Sequence, residues 1–333
     1  MMPALMLVPF RSVVPFAVLL LAALSSAQEP AKLTLATVLA KGPSLVAPLP
    51  TVSWLPTGHQ AFVVKTDGDG NQTLHAIAEG KVADAVLADA KVVRSRLGLP
   101  GEGPAKLPPL SWLDERTLRF ELPTALWTWQ LGAEQAQRVL AWEASDADDA
   151  PGHAIAPGDG AVVYRASHQL WLQDRTGRRR QLTFDGSPDL VYGGAAHRAE
   201  FGITRGLFWS ADGRFLAFSR EDQRPIAPYP YQDLTQVPPT PVAGRYPMAG
   251  RAHARVRIGV LDTSDQSLQW LEHDPDEDVY WTNVTFGPNA TIVVARVDRG
   301  QNRCELVRYD ARTGKRQATL LTEQDAEWVA PEP

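Results

Sequence analysis

The stretch 207-LFWSADGRFLAFS-219 is an apolar strand, an Asp-Gly turn and a second apolar strand, the local signature of a β-hairpin. The same pattern returns along the chain. It reads 52-VSWLPTGHQAFVV-64, 110-LSWLDERTLRFEL-122, 154-AIAPGDGAVVY-164 and 284-VTFGPNATIVVAR-296. A second unit, 170-LWLQDRTGRRRQLTF-184 and 306-LVRYDARTGKRQATLL-321, ends a strand on Asp, turns at Thr-Gly and returns as a polar strand. Two such hairpins make a four-stranded antiparallel sheet. Sheets repeated in this way predict an all-β fold, a partial β-propeller of about five blades. A β-sandwich also has many short strands, but it does not repeat one hairpin signature.

Composition fits a folded domain. The chain has 333 residues, 44% hydrophobic and 21% charged, with a formal charge of −5. That charge is too mild to predict a nucleic-acid or anionic-membrane partner. The basic run 178-RRR-180 sits beside a turn without interleaved aromatics and reads as a solvated hairpin tip. Residues 221–250, with Pro225, Pro228, Pro230, Pro238, Pro239, Pro241 and Pro247, cannot form a central strand and read as a long excursion from one blade.

The N-terminus reads as an export signal. Arg11 precedes an apolar run from Val13 to Leu24, and Ser25-Ser26-Ala27 supplies the small residues a signal peptidase needs. The run falls short of the roughly 20 residues that span a bilayer. Cleavage after Ala27 is expected, giving a mature chain of residues 28–333 that is periplasmic or secreted, without membrane contact. No Cys follows the run, so no lipid-modified start is expected. Cys304 is the only cysteine, so no intrachain disulfide forms and stability must come from the core. With that reading, Asn-x-Thr at Asn71, Asn283 and Asn289 is incidental.

Few residues suggest chemistry. In 66-TDGDGNQ-72, Asp67, Asp69 and Asn71 alternate as in a calcium loop, but Gln72 and Ala78 occupy positions that need Gly and Glu. A hairpin turn is the better reading. The acidic run 274-DPDED-278 reads as a solvated loop. The seven histidines lack metal-ligand spacing, and no Gly-x-Ser-x-Gly elbow occurs. No metal, cofactor or catalytic residue is expected. One segment stands apart: 195-AAHRAEFGI-203, a charged, non-strand piece placed directly ahead of a strand.

From about residue 154 onward the chain resembles the propeller domain of dipeptidyl peptidase IV, of bacterial type, within the prolyl oligopeptidase clan. The resemblance lies in 166-ASHQLWLQDRTGRRRQLTFDGSPDLVYGG-194, 197-HRAEFGITRGLFWSADGRFLAFSRED-222, 229-YPYQD-233, 245-RYPMAGRAHARVRIGVLD-262 and 320-LLTEQDAEWVAP-331. Residues 30–150 share only the hairpin rhythm. The resemblance implies that 195–203 is a short helix projecting into a cavity. Its acidic residue would hold the free N-terminal ammonium of a peptide, to be cut after the second residue by a hydrolase serine. Glu200 falls at the second acidic position of this motif, and Ala199 stands where better-known members carry Glu. Glu200 is therefore the one substrate-binding residue expected from this segment. In helical geometry it would share a face with Ala196, while His197 and Arg198 point elsewhere and take no direct role.

Without nucleophile, base and oxyanion hole the chain alone is expected to be inactive. Its expected partners are a peptide N-terminus and an α/β-hydrolase domain, supplied by a longer gene or a separate chain. A free-standing propeller that binds peptides or protein partners without catalysis is the alternative. A mid-propeller stop, with the C-terminal blades missing, is also expected.

Overall fold

A computed structural model describes residues 34–36, 52–55, 60–78, 81–142, 152–157, 160–274 and 277–331. The expected signal segment, residues 1–27, lies outside them. Among the described residues no helix is long and apolar enough to cross a membrane.

The body from Val52 onward is built of successive antiparallel sheets. The first is β1 (Val52–Trp54), β2 (Ala61–Thr66), β3 (Gln72–Ala78) and β4 (Lys81–Asp89) in chain order. The second is β5 (Leu110–Trp112), β6 (Thr117–Leu122), β7 (Ala125–Gln130) and β8 (Gln137–Ala141). The third is β9 (His153–Ile155), β10 (Val162–Ala166), β11 (Gln169–Gln173) and β12 (Arg179–Gln181). The fourth contains β13 (Leu190–Tyr192), β14 (Leu207–Trp209), β15 (Phe215–Asp222), β18 (Arg255–Asp262) and β19 (Leu268–Trp270). The fifth is β20 (Val279–Gly287), β21 (Thr291–Asp298), β22 (Arg303–Asp310) and β23 (Arg316–Gln324). Every hairpin expected from the repeats is present, and the fold is all-β of the propeller type, with five blades among the described residues.

The repeated Asp has a physical cause. Asp174 accepts from the N–H groups of Thr176 (2.9 Å) and Arg178 (3.0 Å) and from the Thr176 hydroxyl (2.6 Å). Asp310 accepts from the N–H groups of Arg312 and Thr313, both at 2.9 Å. A carboxylate at the strand end thus satisfies the turn's otherwise unpaired donors. Asp67 does the same for Asp69 (3.0 Å) and Asn71 (2.8 Å), so 67–71 is a hairpin turn joining β2 to β3.

The blades meet face to face through interlocking apolar clusters. Phe62, Leu74, Trp112 and Phe120 pack the first against the second; Leu126, Leu140 and Tyr164 pack the second against the third. Leu170, Leu207, Leu216 and Phe218 join the third to the fourth, and Phe215, Ile258, Trp281 and Ile292 join the fourth to the fifth. Burying a side chain of this kind stabilises by about 1.5–3 kcal/mol, so each cluster couples its two sheets strongly.

Three features differ from the sequence reading. A helix, α1 (Ala90–Arg96), follows β4 where no helix was expected. Asp89 caps it by accepting from the N–H of Lys91, and Ala90, Val93 and Leu97 are buried at helical spacing. The proline-rich excursion does leave one blade, between β15 and β18, but it carries a hairpin of its own, β16 (Tyr231–Asp233) with β17 (Thr240–Val242). The acidic run near 274 is not simply solvated. Glu277 pairs with the buried Arg296, and Asp278 with His253 at 2.7 Å. Each sets a carboxylate beside a buried side-chain nitrogen.

Candidate functional site

The inner edge of the fourth blade is interrupted. β13 and β14 lie along the same edge of β15: Tyr192 opposes Arg220, and Leu207 opposes Phe218. The single residue between, Ser219, bridges the gap. Gly193 N–H donates to the Ser219 carbonyl (2.8 Å), and Ser219 N–H donates to the Gly206 carbonyl (2.9 Å). Residues 194–205 therefore leave the sheet and return to it through a narrow neck. Glycine is needed there. A Cβ on Gly206 would stand 2.1 Å from the Gly194 carbonyl oxygen, and Gly193 has φ +66° with Leu207 pressed against it.

The excursion carries a short 3-10 helix, η1 (Ala196–Gly202), which places Glu200 near its end. His197, Ala199, Phe201 and Gly202 have left-handed φ values of 53–66°, so η1 is not a regular α-turn. This corrects the expected face. Ala196 is buried in the core between the fourth and fifth blades, whereas Glu200 is exposed. Spacing of four residues brings two side chains together only on α-helical geometry.

Glu200 stands at the rim of a cavity of about 800 Å³, lined also by His197, Glu221, Arg245, Tyr246, His253, Tyr280 and Arg299. Among the described residues its carboxylate makes no hydrogen bond or ion pair. Arg299 likewise makes no ion pair; it donates to the Tyr280 hydroxyl and lies over that ring, its carbon 5.6 Å from the centroid. Arg245 is held by Asp189, at 2.7 and 2.9 Å. The cavity thus offers an acceptor-only carboxylate and a donor-only guanidinium with no acidic partner.

His197 lies in this site, contrary to the expectation that it points away. It is buried, and its Nε2 accepts from the Trp281 N–H at 3.3 Å, which places the ring proton on Nδ1. Burial, reinforced by the nearby His253 and Arg299, lowers its pKa to about 3, so the ring is neutral at physiological pH. Its backbone N–H donates to Glu221 Oε1 at 2.9 Å. The sequence reading missed Glu221, Tyr280 and Arg299. In 215-FLAFSRED-222 the apolar run ends at Phe218, and nothing in the polar end 219-SRED-222 marks Glu221 as buried.

A second cavity, about 600 Å³, lies along Ala196, Phe208, Trp281 and Leu306 and is mainly apolar. Among the described residues no cluster of His, Cys, Asp or Glu has metal-binding geometry.

Comparison with known proteins shows the family and the fold. The family model for the dipeptidyl peptidase IV (DPP IV) N-terminal region matches residues 113–333. A probable dipeptidyl-aminopeptidase B from Coccidioides posadasii is 26% identical over 197 residues, covering 53% of this chain and 22% of the relative. A putative dipeptidyl aminopeptidase IV from Bacteroides ovatus superposes with a TM-score of 0.65 at 24% identity, over 84% of this chain and 38% of that one. Porphyromonas gingivalis dipeptidyl peptidase 4 gives 0.64 at 17% identity, over 90% and 43%. The chain thus spans less than half the length of these proteins. The structural likeness extends the shared fold into the first blades, where the sequence offered only hairpin rhythm. By the match over residues 113–333, about two thirds of its length, the chain belongs to the dipeptidyl peptidase IV N-terminal region family.

Proposed function

We propose that this chain is the substrate-recognising part of an exported dipeptidyl-peptidase-type serine exopeptidase, and that Glu200 holds the substrate's free N-terminal ammonium. The observation that carries this reading is a carboxylate without an internal partner, on an excursion from the sheet, at the rim of a large cavity. An α-amine with pKa about 7.7–8.0 is mostly cationic at neutral pH. At about 4 Å its attraction to a carboxylate is about 1 kcal/mol in water, rising to about 4 kcal/mol at an effective dielectric of 20. Because Glu200 is exposed, the lower figure applies until a peptide displaces water. An internal peptide bond carries no such cation, so the contact favours chain ends. Arg299 is suited to a carbonyl oxygen of the same peptide.

Catalysis falls to an α/β-hydrolase domain, which supplies the serine nucleophile, its base and the oxyanion hole. This chain by itself binds without cleaving. Export rests on residues 1–27 and is checked by N-terminal sequencing of the secreted product, expected to begin at Gln28.

Calorimetric titration of the full chain with Ala-Pro amide and its N-acetylated form tests the recognition step. The free amine should bind at least tenfold more tightly, and Glu200→Gln should remove that difference. Equal binding of the acetylated peptide to the unaltered chain defeats the reading.

A further inference from the structure

We propose that His197 and Glu221 form a two-point latch that positions Glu200, acting through η1 rather than on the peptide; this rests on the amine-anchor reading above. A seven-residue 3-10 helix has little stability of its own, and the N-terminal end of η1 has no side-chain cap. The placement of Glu200 must therefore come from contacts to the blades.

Those contacts bracket Glu200 on both sides. Three residues before it, His197 is tied twice: its N–H to Glu221 Oε1 on β15 (2.9 Å) and its Nε2 to the Trp281 N–H on β20 (3.3 Å). One residue after it, Phe201 meets the Tyr280 ring edge-on at 5.2 Å. The His197 ring packs on the same tyrosine at 4.9 Å and on His253 at 5.6 Å. Glu221 is buried, and its Oε2 accepts from the Gln223 amide at 3.1 Å, which fixes the carboxylate that receives the His197 N–H. The latch joins the fourth blade to the fifth through the excursion itself. A shift between those blades would move Glu200.

This assigns Glu221 the task of an acceptor, not of a second amine-binding charge in place of the residue missing at Ala199. The two roles separate by substitution. Glu221→Gln keeps an oxygen for the His197 N–H, whereas Glu221→Met removes it. With Ala-Pro amide as probe on the full chain, Glu221→Gln should bind within threefold of the unaltered chain. Glu221→Met should bind at least tenfold more weakly, and the His197 amide should lose its protection from hydrogen exchange only in Glu221→Met. If Glu221→Gln loses as much affinity as Glu200→Gln, Glu221 acts by charge and the latch is wrong. Unchanged binding and unchanged His197 protection in Glu221→Met also overturn it.

Should Glu221→Met fail to fold, Phe201→Ala takes its place, with a tenfold loss expected and unchanged affinity counting against the latch. Failure of the amine-anchor reading shows separately, as equal binding of free and acetylated peptide by the unaltered chain. Exchange at the His197 amide in the two Glu221 variants then still decides the latch.

Discussion

The backbone of Gly206 runs directly against that of Gly194, so close that a Cβ on Gly206 would lie 2.1 Å from the Gly194 carbonyl oxygen and 2.3 Å from the Ser219 hydroxyl. This contact closes the neck from which the Glu200 excursion emerges. The Gly194 oxygen and the Gly193 carbonyl carbon, 2.7 Å away, are backbone atoms, so the backbone itself would have to move. Gly206→Ala is therefore expected to destabilise by about 1–3 kcal/mol or more, as overpacking does, and to displace residues 194–205. Gly101→Ala is the control, since a Cβ there meets nothing within 4 Å. Urea unfolding of the two variants, with the amide spectrum of η1, checks both.

Acid should loosen the same region before it unfolds the blades. The buried His197 ring is held neutral, with its pKa lowered to about 3 by burial and by His253 and Arg299. An unfolded histidine titrates near 6.5. The unfolded chain therefore binds the proton first as pH falls, and the contribution of the neutral ring, complete above about pH 6.5, is lost progressively toward pH 3. One such group adds a slope of up to about 1.4 kcal/mol per pH unit to the unfolding free energy. His197→Gln, which titrates nothing, should flatten the stability profile across that window. A profile unchanged by the substitution contradicts the assignment.

How much of this was legible in the sequence depended on range. The hairpins were, because apolar alternation and polar turn residues such as Asp212 act within a dozen residues, as 207–219 shows. α1 was legible in principle. Asp89 as cap, with Ala90, Val93 and Leu97 buried on one side, is a helix signature, but one short enough to be read as the end of β4. Glu200 is singled out only through resemblance to a family; its own neighbourhood would pass for a solvated turn. Tyr280 and Arg299 could not be found. They reach η1 through the packing of the fifth blade on the fourth, and no local pattern around residue 197 encodes what lies near residue 280 in space. The acids at 277 and 278 misled for the same reason, since their partners Arg296 and His253 come from elsewhere in the chain.

Phe218, in the apolar cluster that the fourth blade shares with Val163 and Leu170 of the third, should tolerate truncation poorly. Phe218 is fully buried, against Tyr192 at 6.1 Å and Trp270 at 5.8 Å between centroids, and its ring lies where a Cβ on Gly259 would stand, 2.7 Å away. Phe218→Ala should cost about 3–5 kcal/mol, by lost burial and by the cavity left behind. Leu321, exposed on the outer strand β23, offers the contrast, with Leu321→Ala expected within about 0.5 kcal/mol of the unaltered chain. Equilibrium unfolding of both variants measures the difference.

The turn at Asp67 separates a hairpin from a calcium loop. Its Oδ1 already accepts from the N–H groups of Asp69 and Asn71, and its Oδ2 from the Asn71 side-chain amide at 3.1 Å. Those bonds lower the carboxyl pKa, the Asn71 side chain contributing most. A cation would have to displace donors that are already well placed, without the bidentate Glu such a loop requires. Millimolar calcium should therefore leave Tm unchanged, whereas Asp67→Ala should lower it by unpairing the turn. A calcium-dependent rise in Tm that Asp67→Ala abolishes would show the turn to be a metal site instead.

The ion pair of Arg214 with Asp262 sets a different acid limit, inside the fourth blade. The guanidinium grips the carboxylate with two nitrogens, Nε at 3.1 Å from both oxygens and Nη2 at 2.7 Å from Oδ2, while Ser264 donates its N–H (2.9 Å) and hydroxyl (2.6 Å) to Oδ1. Arg214 first, then Ser264, holds the Asp262 pKa down at about 2, below the ordinary 3.8. A depressed carboxyl pKa means that the stabilisation is complete above about pH 4 and is lost as pH falls through 2. Asp262→Asn should therefore lower Tm by several degrees at neutral pH and progressively less below pH 4, because the unaltered protein loses the same charge there. Charge-assisted bidentate pairs resist screening better than single exposed contacts, so the neutral-pH difference should persist in 0.5 M salt, at roughly half a Debye length of the physiological value. A Tm difference that vanishes in salt, or that is constant down to pH 2, would place the stabilisation elsewhere in the turn at Ser264.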